Sequence, residues 1–468
     1  MVLSAVATQV GRTVEGVTDL VTAPFTDPVI RLGVTGLSRA GKTVFITSLV
    51  ANLLDRGRMP QLAAAATGAI KGAYLQPQPD DTVARFDYET HLDAMLGSDP
   101  KWPEGTSTIS ELRLSFRVQP SGFIGNFSGP RTVHLDIIDY PGEWLLDLAL
   151  LDKDYDTWTA EALGKAHDRP QARDYLAALD DIDPSQKFDD VTAGKLAHLY
   201  ATYLQTARAD GYADCTPGRF LLPGDLAGSP ALTFAPLPQG TTGRGSLRRE
   251  MARRYAAYQS RIVKPFFRDH FSKIDRQVVL VDVLKALSHG PSAVADLEDA
   301  MTDILSSFRP GRNGWLSEIL LGKRVDRILF AATKSDHLHH SQHAALANLA
   351  QAMAQGARDR ANFEGADTTA MAIAALRTTT ETEVGDGLPA VQGTVMETGK
   401  ATAFFPGTLP ASPTGLLAQA RAGADSWSDG EFAAMRFVPA VMELGANEGP
   451  PHIRLDKALQ FLIGDKLG

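Results

Sequence analysis

The sequence of 468 residues contains a single cysteine, Cys215. One thiol excludes a disulfide-linked scaffold and a zinc site built on several cysteines, and it suits a reducing compartment. Basic residues are also in deficit, because 46 Lys and Arg face 55 Asp and Glu and the formal net charge is −9. A broad electrostatic surface for nucleic acid is therefore not expected.

Long uncharged apolar runs are lacking as well, and none reaches the roughly 18 residues that would indicate a membrane span. Residues 1–25 place apolar side chains near helical spacing, but they lack the basic start and continuous apolar centre of a secretory signal. We expect a helix packed on the body of the protein, with a membrane-surface helix as the alternative. The expected location is cytoplasmic.

The composition is otherwise that of a globular protein, with 44% apolar and 22% charged residues. Short runs rich in β-branched and aliphatic residues alternate with helix-like stretches. These runs cover 29–35, 133–138, 278–283, 327–332 and, more weakly, 370–376. They predict parallel strands buried on both faces, and hence an α/β fold.

The uneven spacing of these runs predicts insertions into one sheet. The expected divisions are a first part of the core in 1–144, a mainly helical insertion in 145–275, a second part of the core in 276–384, a Gly- and Pro-rich insertion containing strands near 394–405 in 385–449, and a C-terminal helix packing on the core in 450–468.

Residues 36–43 match the pattern G-x-x-x-x-G-K-[ST] between an apolar strand and a helix. In this pattern, successive backbone N–H groups and the helix N-terminus form a positive hollow for phosphate oxygens. Lys42 is expected to reach the β- and γ-phosphates, and the Thr43 hydroxyl to ligate Mg²⁺. The predicted phosphate-binding residues are Ser38, Arg39, Ala40, Gly41, Lys42, Thr43 and Val44.

The second apolar run ends in Asp139-Tyr140-Pro141-Gly142, a D-x-x-G pattern. An acid at the end of a strand next to the phosphate loop can hold Mg²⁺ through water. We therefore expect Asp139 to face the metal and the backbone N–H of Gly142 to reach a γ-phosphate.

After the fourth run, Thr333, Lys334 and Asp336 match the [NT]-K-x-D pattern of GTPases. A carboxylate here can accept hydrogen bonds from N1–H and the 2-amino group of guanine, which adenine does not offer in that geometry. The lysine stem can lie across the base. Ala375 and Leu376 end the fifth run, where such proteins place a loop that contacts the guanine oxygen.

In their order along the chain, these motifs resemble the P-loop GTPases. The longer strings GLSRAGKTVFITSL, DYPGEWLLDL, TKSD and PHIRLDKAL are similar to those of the YcjX family of bacterial proteins, over most of the chain. The resemblance implies a P-loop NTPase core of the GTPase type that binds GTP or GDP with Mg²⁺. It also implies a stress-related role and a membrane-protein partner, with peripheral association at the inner membrane. A nucleotide-dependent dimer is a further expectation, and a nucleic-acid partner is not expected.

Two residues depart from the small GTPases. Glu143 stands where those proteins usually carry a glutamine that orients the attacking water; it can act on water, but its charge also repels a γ-phosphate. Arg39 gives the loop a form similar to that of guanylate-binding proteins and atlastins, in which this arginine swings onto the phosphates in cis. The alternative is that Arg39 points to solvent or to an acid on the insertion. The second Mg²⁺-ligating threonine is assigned to Thr108, with Thr106 as the alternative.

The predicted function is a slowly hydrolysing GTP switch, in which loss of the γ-phosphate rearranges the loops at Thr108 and Gly142 and so moves the insertion. An ATPase that uses the same loop and a scaffold with a structural nucleotide are the alternatives.

Two further clusters are less informative. His339 and His343 have metal-ligand spacing on a helix, but without a clear third ligand a metal site is not favoured. The arginines of 248–254 are interpreted as solvated or paired with acids, with an acidic partner or lipid headgroups as the alternative.

Overall fold

The computed structural model describes residues 27–37, 40–105, 108–120, 129–240, 243–307, 325–360, 366–385, 387–428 and 430–467. The helix expected in 1–25 therefore lies outside the described residues, as do Ser38, Arg39 and Thr106. Within the part of the chain that is described, no helix combines the length and the apolar character needed to cross a membrane.

The first part of the chain builds one side of a sheet. Its elements are β1 (Val29–Gly36), α1 (Lys42–Leu54), α2 (Ala63–Ala66), β2 (Ile70–Gln76), β3 (Ala84–Arg85), α3 (Tyr88–Leu96), β4 (Ser110–Val118) and β5 (Arg131–Asp139).

The middle of the chain is helical. In the described residues between β5 and the next strand, the regular elements are helices: α4 (Gly142–Leu146), α5 (Tyr155–His167), α6 (Arg173–Asp180), α7 (Asp190–Ala209), α8 (Gly218–Leu221), α9 (Leu247–Tyr258) and α10 (Lys264–Asp269), with shorter 3₁₀ turns among them. A π-helical turn, Gln259–Val263, joins α9 to α10.

The last part returns to the sheet and adds a second one. Its elements are β6 (Arg276–Val281), α11 (Val283–His289), α12 (Pro291–Ser307), β7 (Arg327–Ala332), α13 (His343–Arg360), β8 (Asp367–Ala372), β9 (Thr380–Val384), β10 (Leu388–Thr394), β11 (Ala401–Phe404), α14 (Thr414–Arg421) and α15 (Leu455–Ile463). Of the strands expected over 394–405, β11 lies inside that stretch, whereas β10 precedes it and ends at Thr394.

The central sheet is mixed, with the strand order β2-β4-β5-β1-β6-β7-β8 and β3 alongside β4. The strands from β5 to β8 pair in parallel, whereas β2, β4 and β5 pair antiparallel. All residues of β6 are buried, as a strand covered on both faces requires. The predicted α/β class is confirmed, with a central sheet that is mainly parallel.

Each face of this sheet has its own apolar core. On one face, Phe45 and Leu49 of α1 and Leu459 of α15 pack with strand residues. On the other face, Val279 and Phe330 belong to the same core as residues of the helices between β5 and β6. Those helices therefore share a continuous core with the sheet.

The carboxyl ends of five parallel strands lie at the same edge of the sheet. The register pairs Val34 of β1 with Asp139, the last residue of β5. It also pairs Ala332, the last residue of β7, with Val281 of β6 and with Ala372 of β8. The loops that carry the predicted site residues therefore leave the sheet side by side, where open α/β sheets bind ligands.

Candidate functional site

The described end of the loop after β1 places a glycine directly before α1. Gly41 has φ 84° and ψ 36°, a left-handed conformation that favours glycine, and it precedes α1 without a side-chain cap. The first N–H groups of α1 are therefore not taken by a capping side chain, and a helix N-terminus of this kind attracts anions. Ala40 and Thr43 are buried, and Val44 is half-buried.

Lys42 and Asp139 form an ion pair at this edge of the sheet. The Asp139 side chain is only 1% exposed and that of Lys42 is 12% exposed, so both charges are largely shielded from water. The Ser110 hydroxyl lies 3.5 Å from the second carboxylate oxygen of Asp139. The structure thus brings together the lysine and the acid that the sequence assigned to phosphate and metal. We call residues 36–43 and 139–143 the phosphate corner.

Gly142 lies against the loop that follows β1. A Cβ atom added to Gly142 would stand 2.2 Å from the backbone oxygen of Gly36, so a larger residue would force these two backbone segments apart. This close approach puts the D-x-x-G turn directly beside the start of the predicted phosphate loop. Thr108 is exposed, two residues before β4, and its predicted metal role remains a prediction.

Glu143 is buried and forms an ion pair with Arg208 of α7. The side chain that follows the D-x-x-G turn is therefore engaged by the helical segment between β5 and β6. Because the guanidinium offsets the carboxylate charge, Glu143 in this arrangement repels a nearby anion less than an unpaired carboxylate does.

The T-K-x-D loop is held by contacts to β6 and to Asp282, the residue that follows β6. The backbone N–H of Thr333 donates to the Val281 oxygen at 2.9 Å. Lys334 has φ 60°, an uncommon left-handed conformation for a residue with a side chain, and its ammonium pairs with the buried carboxylate of Asp282. The Lys334 ion pair lowers the pKa of Asp282 despite the opposing effect of burial, which is the largest single influence.

Asp336 is buried and is held by the segment after β8. Its carboxylate accepts from the backbone N–H of Thr378 at 2.9 Å and from the Thr378 hydroxyl at 2.8 Å, both at Oδ2. The Thr379 hydroxyl donates to the Asp336 backbone oxygen. We call residues 333–338 and 373–379 the base corner, after the guanine recognition expected there.

Ala375 and Leu376 lie in a loop held by the C-terminal segment. Both residues are buried. On one side, Ala374 and Ile453 exchange backbone hydrogen bonds of 3.0 and 2.8 Å; on the other, the N–H of Arg377 donates to the Pro451 oxygen at 2.8 Å. The start of the PHIRLDKAL string therefore fixes this loop next to Asp336.

The helix after the D-x-x-G turn is tied to the helical segment by buried polar contacts. Asp147 accepts from the N–H of Gly218 at 2.7 Å and from the Tyr258 hydroxyl. Burial raises the pKa of Asp147 to about 7, against the opposing effect of these hydrogen bonds. The Arg219 guanidinium lies 3.2 Å from the Trp144 ring centroid, a cation–π contact. Residues 142–147 thus connect the phosphate corner with α8 and α9.

His339 and His343, which have metal-ligand spacing only on a helix, do not act together in the structure. His343 is buried and its Nε2 lies 3.1 Å from the Leu338 backbone oxygen, so this nitrogen is engaged within its own turn. The interpretation of the arginines as paired with acids is confirmed for Arg248 and Arg254, which pair with Asp156 and Asp190 at 2.8 and 2.7 Å.

The donors of both corners fit a nucleotide with Mg²⁺. The Thr43 hydroxyl and the Asp139 carboxylate are oxygen ligands of the kind Mg²⁺ prefers, and Lys42 pairs with Asp139. In the base corner, the Ser335 hydroxyl is buried without a hydrogen-bond partner among the described residues. A buried polar atom of this kind is a place for a ligand contact.

Comparison with known proteins identifies the family of this chain. A model described as the YcjX-like family, DUF463, matches residues 30–467. The chain belongs to this family. It is 37% identical to Ras-like GTPase YcjX of Escherichia coli (strain K12) over 459 residues, which cover 94% of this chain and 96% of that protein. It is 36% identical to a protein of the same name from Shewanella oneidensis over 475 residues, covering 94% and 95% of the two chains. The resemblance to the YcjX family is confirmed.

Several contact residues of this YcjX-like chain were not singled out from the sequence. They are Ser110 beside Asp139, Arg208 on Glu143, Asp282 on Lys334, and Thr378 and Thr379 on Asp336. Asp282 directly follows a buried strand, which is a recognisable signal for a site residue. Arg208 carries no such signal, because its partner lies 65 positions away along the chain and only the folded helices bring them together.

Proposed function

We propose that this protein binds GTP and GDP with Mg²⁺, hydrolyses GTP slowly, and acts as a nucleotide-dependent conformational switch. The observation that carries the proposal is the placement of Lys42, Asp139 and Asp336 at one edge of the sheet, at the carboxyl ends of neighbouring parallel strands. The relatives named Ras-like GTPase support it.

In this proposal the phosphate corner holds the polyphosphate. The backbone amides from Ser38 to Val44 surround the phosphates, and Lys42 leaves Asp139 to meet the β- and γ-phosphates. Thr43, Thr108 and, through water, Asp139 would hold Mg²⁺. When bound, Mg²⁺ neutralises phosphate charge.

In this proposal the base corner recognises guanine. Thr378 holds one carboxylate oxygen of Asp336, which fixes the plane of the group that accepts from the base. Thr333 and Lys334 shape the loop, with the lysine stem across the base, and Ala375 and Leu376 face the guanine oxygen. Adenine does not offer the N1–H and 2-amino donors to this carboxylate, which accounts for a guanine preference.

Slow hydrolysis follows from the residues around the attacking water. Glu143 takes the place of a water-orienting glutamine, and its pairing with Arg208 limits its repulsion of the γ-phosphate. Arg39 supplies transition-state stabilisation in cis.

The switch movement passes through residues 142–147. Loss of the γ-phosphate releases the N–H of Gly142 and the loop at Thr108, and the contacts of Trp144 and Asp147 transmit the change to the helices between β5 and β6. Those helices form the mainly helical insertion, 145–275, in a P-loop core made of 1–144 and 276–384. In the remaining divisions, 385–449 is a second insertion and 450–468 packs on the core.

The cellular setting of the proposal rests on the resemblance to the YcjX family. It consists of a stress-related role, a membrane-protein partner with peripheral association at the inner membrane, and a nucleotide-dependent dimer.

A competition experiment tests the nucleotide proposal. A fluorescent GDP analogue is bound to the full chain with Mg²⁺ and displaced by GDP, GTP or ATP. We expect GDP and GTP to displace it at far lower concentration than ATP. Equal displacement by ATP would instead indicate an ATPase that uses the same loop.

A further inference from the structure

A cluster of two histidines and one glutamate lies next to the base corner. His339 and His340 follow the T-K-x-D loop, and Glu381 belongs to β9. One potential metal-binding atom from each residue lies within 4.8 Å of the others. Histidine nitrogen and carboxylate oxygen are the ligand types of zinc sites in which one position stays open.

The separations within the cluster match those of metal ligands. Nδ1 of His340 lies 2.8 Å from Oε2 of Glu381, and Nε2 of His339 lies 3.8 Å from the same oxygen. Two ligands that each stand 2.0–2.2 Å from a tetrahedral ion are about 3.3–3.6 Å apart. The two observed separations lie on either side of this range, so side-chain rotations would complete the site.

Neighbouring groups orient the ligands. Oε1 of Glu381 faces the backbone N–H of His340 at 3.3 Å and the Arg377 guanidinium at 3.8 Å, while Oε2 faces the imidazoles. Nδ1 of His339 lies 2.9 Å from the Ser341 hydroxyl and 3.3 Å from the Ser341 backbone N–H. Metal binding at Nε2 would place the ring proton on Nδ1, where the Ser341 hydroxyl can accept it. Outer contacts of this kind hold metal-binding side chains in place.

The cluster is open to solvent, since the His340 side chain is 66% exposed and that of Glu381 is 34% exposed. An ion can therefore enter and keep a water molecule in the remaining position. An exposed carboxylate–imidazole contact alone contributes little to stability.

We propose that His339 Nε2, His340 Nδ1 and Glu381 Oε2 bind a divalent transition metal such as Zn²⁺. The ion would join the segment after Asp336 to the segment after Thr378 and Thr379, which hold Asp336. It would thereby stiffen the base corner. The metal site itself is independent of the proposed nucleotide function, and only its effect on the base corner rests on that function.

Calorimetric titration of the full chain with Zn²⁺ tests the site, in the presence of excess Mg²⁺ and GDP to occupy the phosphate corner. We expect one Zn²⁺ per chain in the wild type, and at least about tenfold weaker binding for His340→Ala and for Glu381→Gln. His198→Ala, which removes an exposed histidine of α7, is the matched control and should bind like the wild type.

Substitution with Co²⁺ gives a second readout, because a tetrahedral site with nitrogen and oxygen ligands has intense visible absorption bands that an octahedral aqua ion lacks. The proposal is overturned if His340→Ala and Glu381→Gln bind Zn²⁺ as tightly as His198→Ala does. A tighter GDP complex with Zn²⁺ in the wild type, absent in His340→Ala, would add the predicted effect on the base corner. If the metal binds but no guanine nucleotide does, the metal site stands and the nucleotide proposal fails.

Discussion

The phosphate corner and the base corner hold their buried acids in different ways. In the phosphate corner, Asp139 pairs with Lys42, and a bound phosphate and a metal ion can each replace one member of that pair. In the base corner, Asp336 accepts from the backbone and hydroxyl of Thr378, which belong to the protein framework. The first corner must therefore exchange partners when a ligand binds, whereas the second is already arranged.

This difference affects the free energy of ligand binding at each corner. Breaking a buried ion pair costs free energy unless each charge finds a new partner at once, so binding at the phosphate corner is expected to couple nucleotide and metal. A preorganised acceptor loses little entropy on binding, so the base corner is suited to specificity. Substitutions in the phosphate corner and in the base corner test this comparison.

The largest effect is expected at the phosphate corner. Lys42→Ala should abolish GDP and GTP binding, a loss of at least about 100-fold, because the cation that meets the phosphates is removed. The same change leaves Asp139 buried without its cation, so the fold must be checked by thermal unfolding. The double variant Lys42→Ala/Asp139→Asn removes that unpaired charge and should regain stability without regaining nucleotide binding. Tight GDP retention by either variant would refute the phosphate-loop assignment.

The next effect concerns specificity. Asp336→Asn should lower the ratio of GTP to ATP affinity by at least about tenfold, because an amide cannot accept both guanine hydrogen bonds. The displacement assay with the fluorescent GDP analogue measures this ratio. Thr378→Val, which keeps the backbone donor and removes the hydroxyl, is the milder control and should change the ratio only a few-fold. An unchanged ratio in Asp336→Asn would remove the specificity argument.

A smaller effect is expected where α7 contacts the phosphate corner, at the ion pair of Arg208 with Glu143. Arg208→Ala should slow single-turnover phosphate release by about tenfold, because Glu143 then presents an unpaired charge to the γ-phosphate. Adding Glu143→Gln should restore the rate by removing that charge. A double variant as slow as Arg208→Ala alone would show that the ion pair is purely structural.

The last effect is on stability and concerns Asp147. Its pKa is raised by burial from 3.8 to about 7 in the folded protein, so the folded state keeps a proton that the unfolded state has lost. The free energy of unfolding should therefore decrease as pH rises from about 4 to 7. The decrease is up to about 1.4 kcal/mol for each unit by which the folded and unfolded pKa values of Asp147 differ. Urea unfolding at pH 5 and pH 8 should show a smaller decrease in Asp147→Asn than in the wild type. Equal decreases would contradict the assignment.

The parts of this account that the sequence predicts are those encoded locally. The apolar runs before Gly36, Asp139 and Thr333 predict the strands, and the residues after them predict which side chains lie at the carboxyl ends of those strands. Both predictions succeed because each pattern lies within a few residues. The limits of the fifth strand were less well predicted: the apolar run continues to Leu376, but β8 ends at Ala372 and the loop continues as a buried segment.

The contacts between distant segments could not be predicted in this way. Arg208 and Glu143, or Ile453 and Ala374, meet only because the helices and the C-terminal segment fold back on the sheet. Similarly, the histidine pattern was interpreted on helical spacing, whereas a 3₁₀ turn, His340–Gln342, separates His339 from the start of α13. The folded structure, not the local sequence, therefore determines which charges pair across the fold.

The most direct test of the central claim is calorimetric titration of the purified full chain, supplied with Mg²⁺, with GDP, GTP and ATP. The account predicts binding of one guanine nucleotide per chain, with GDP and GTP each far tighter than ATP. Absence of binding heat with both GDP and GTP, confirmed by equilibrium dialysis, would contradict it.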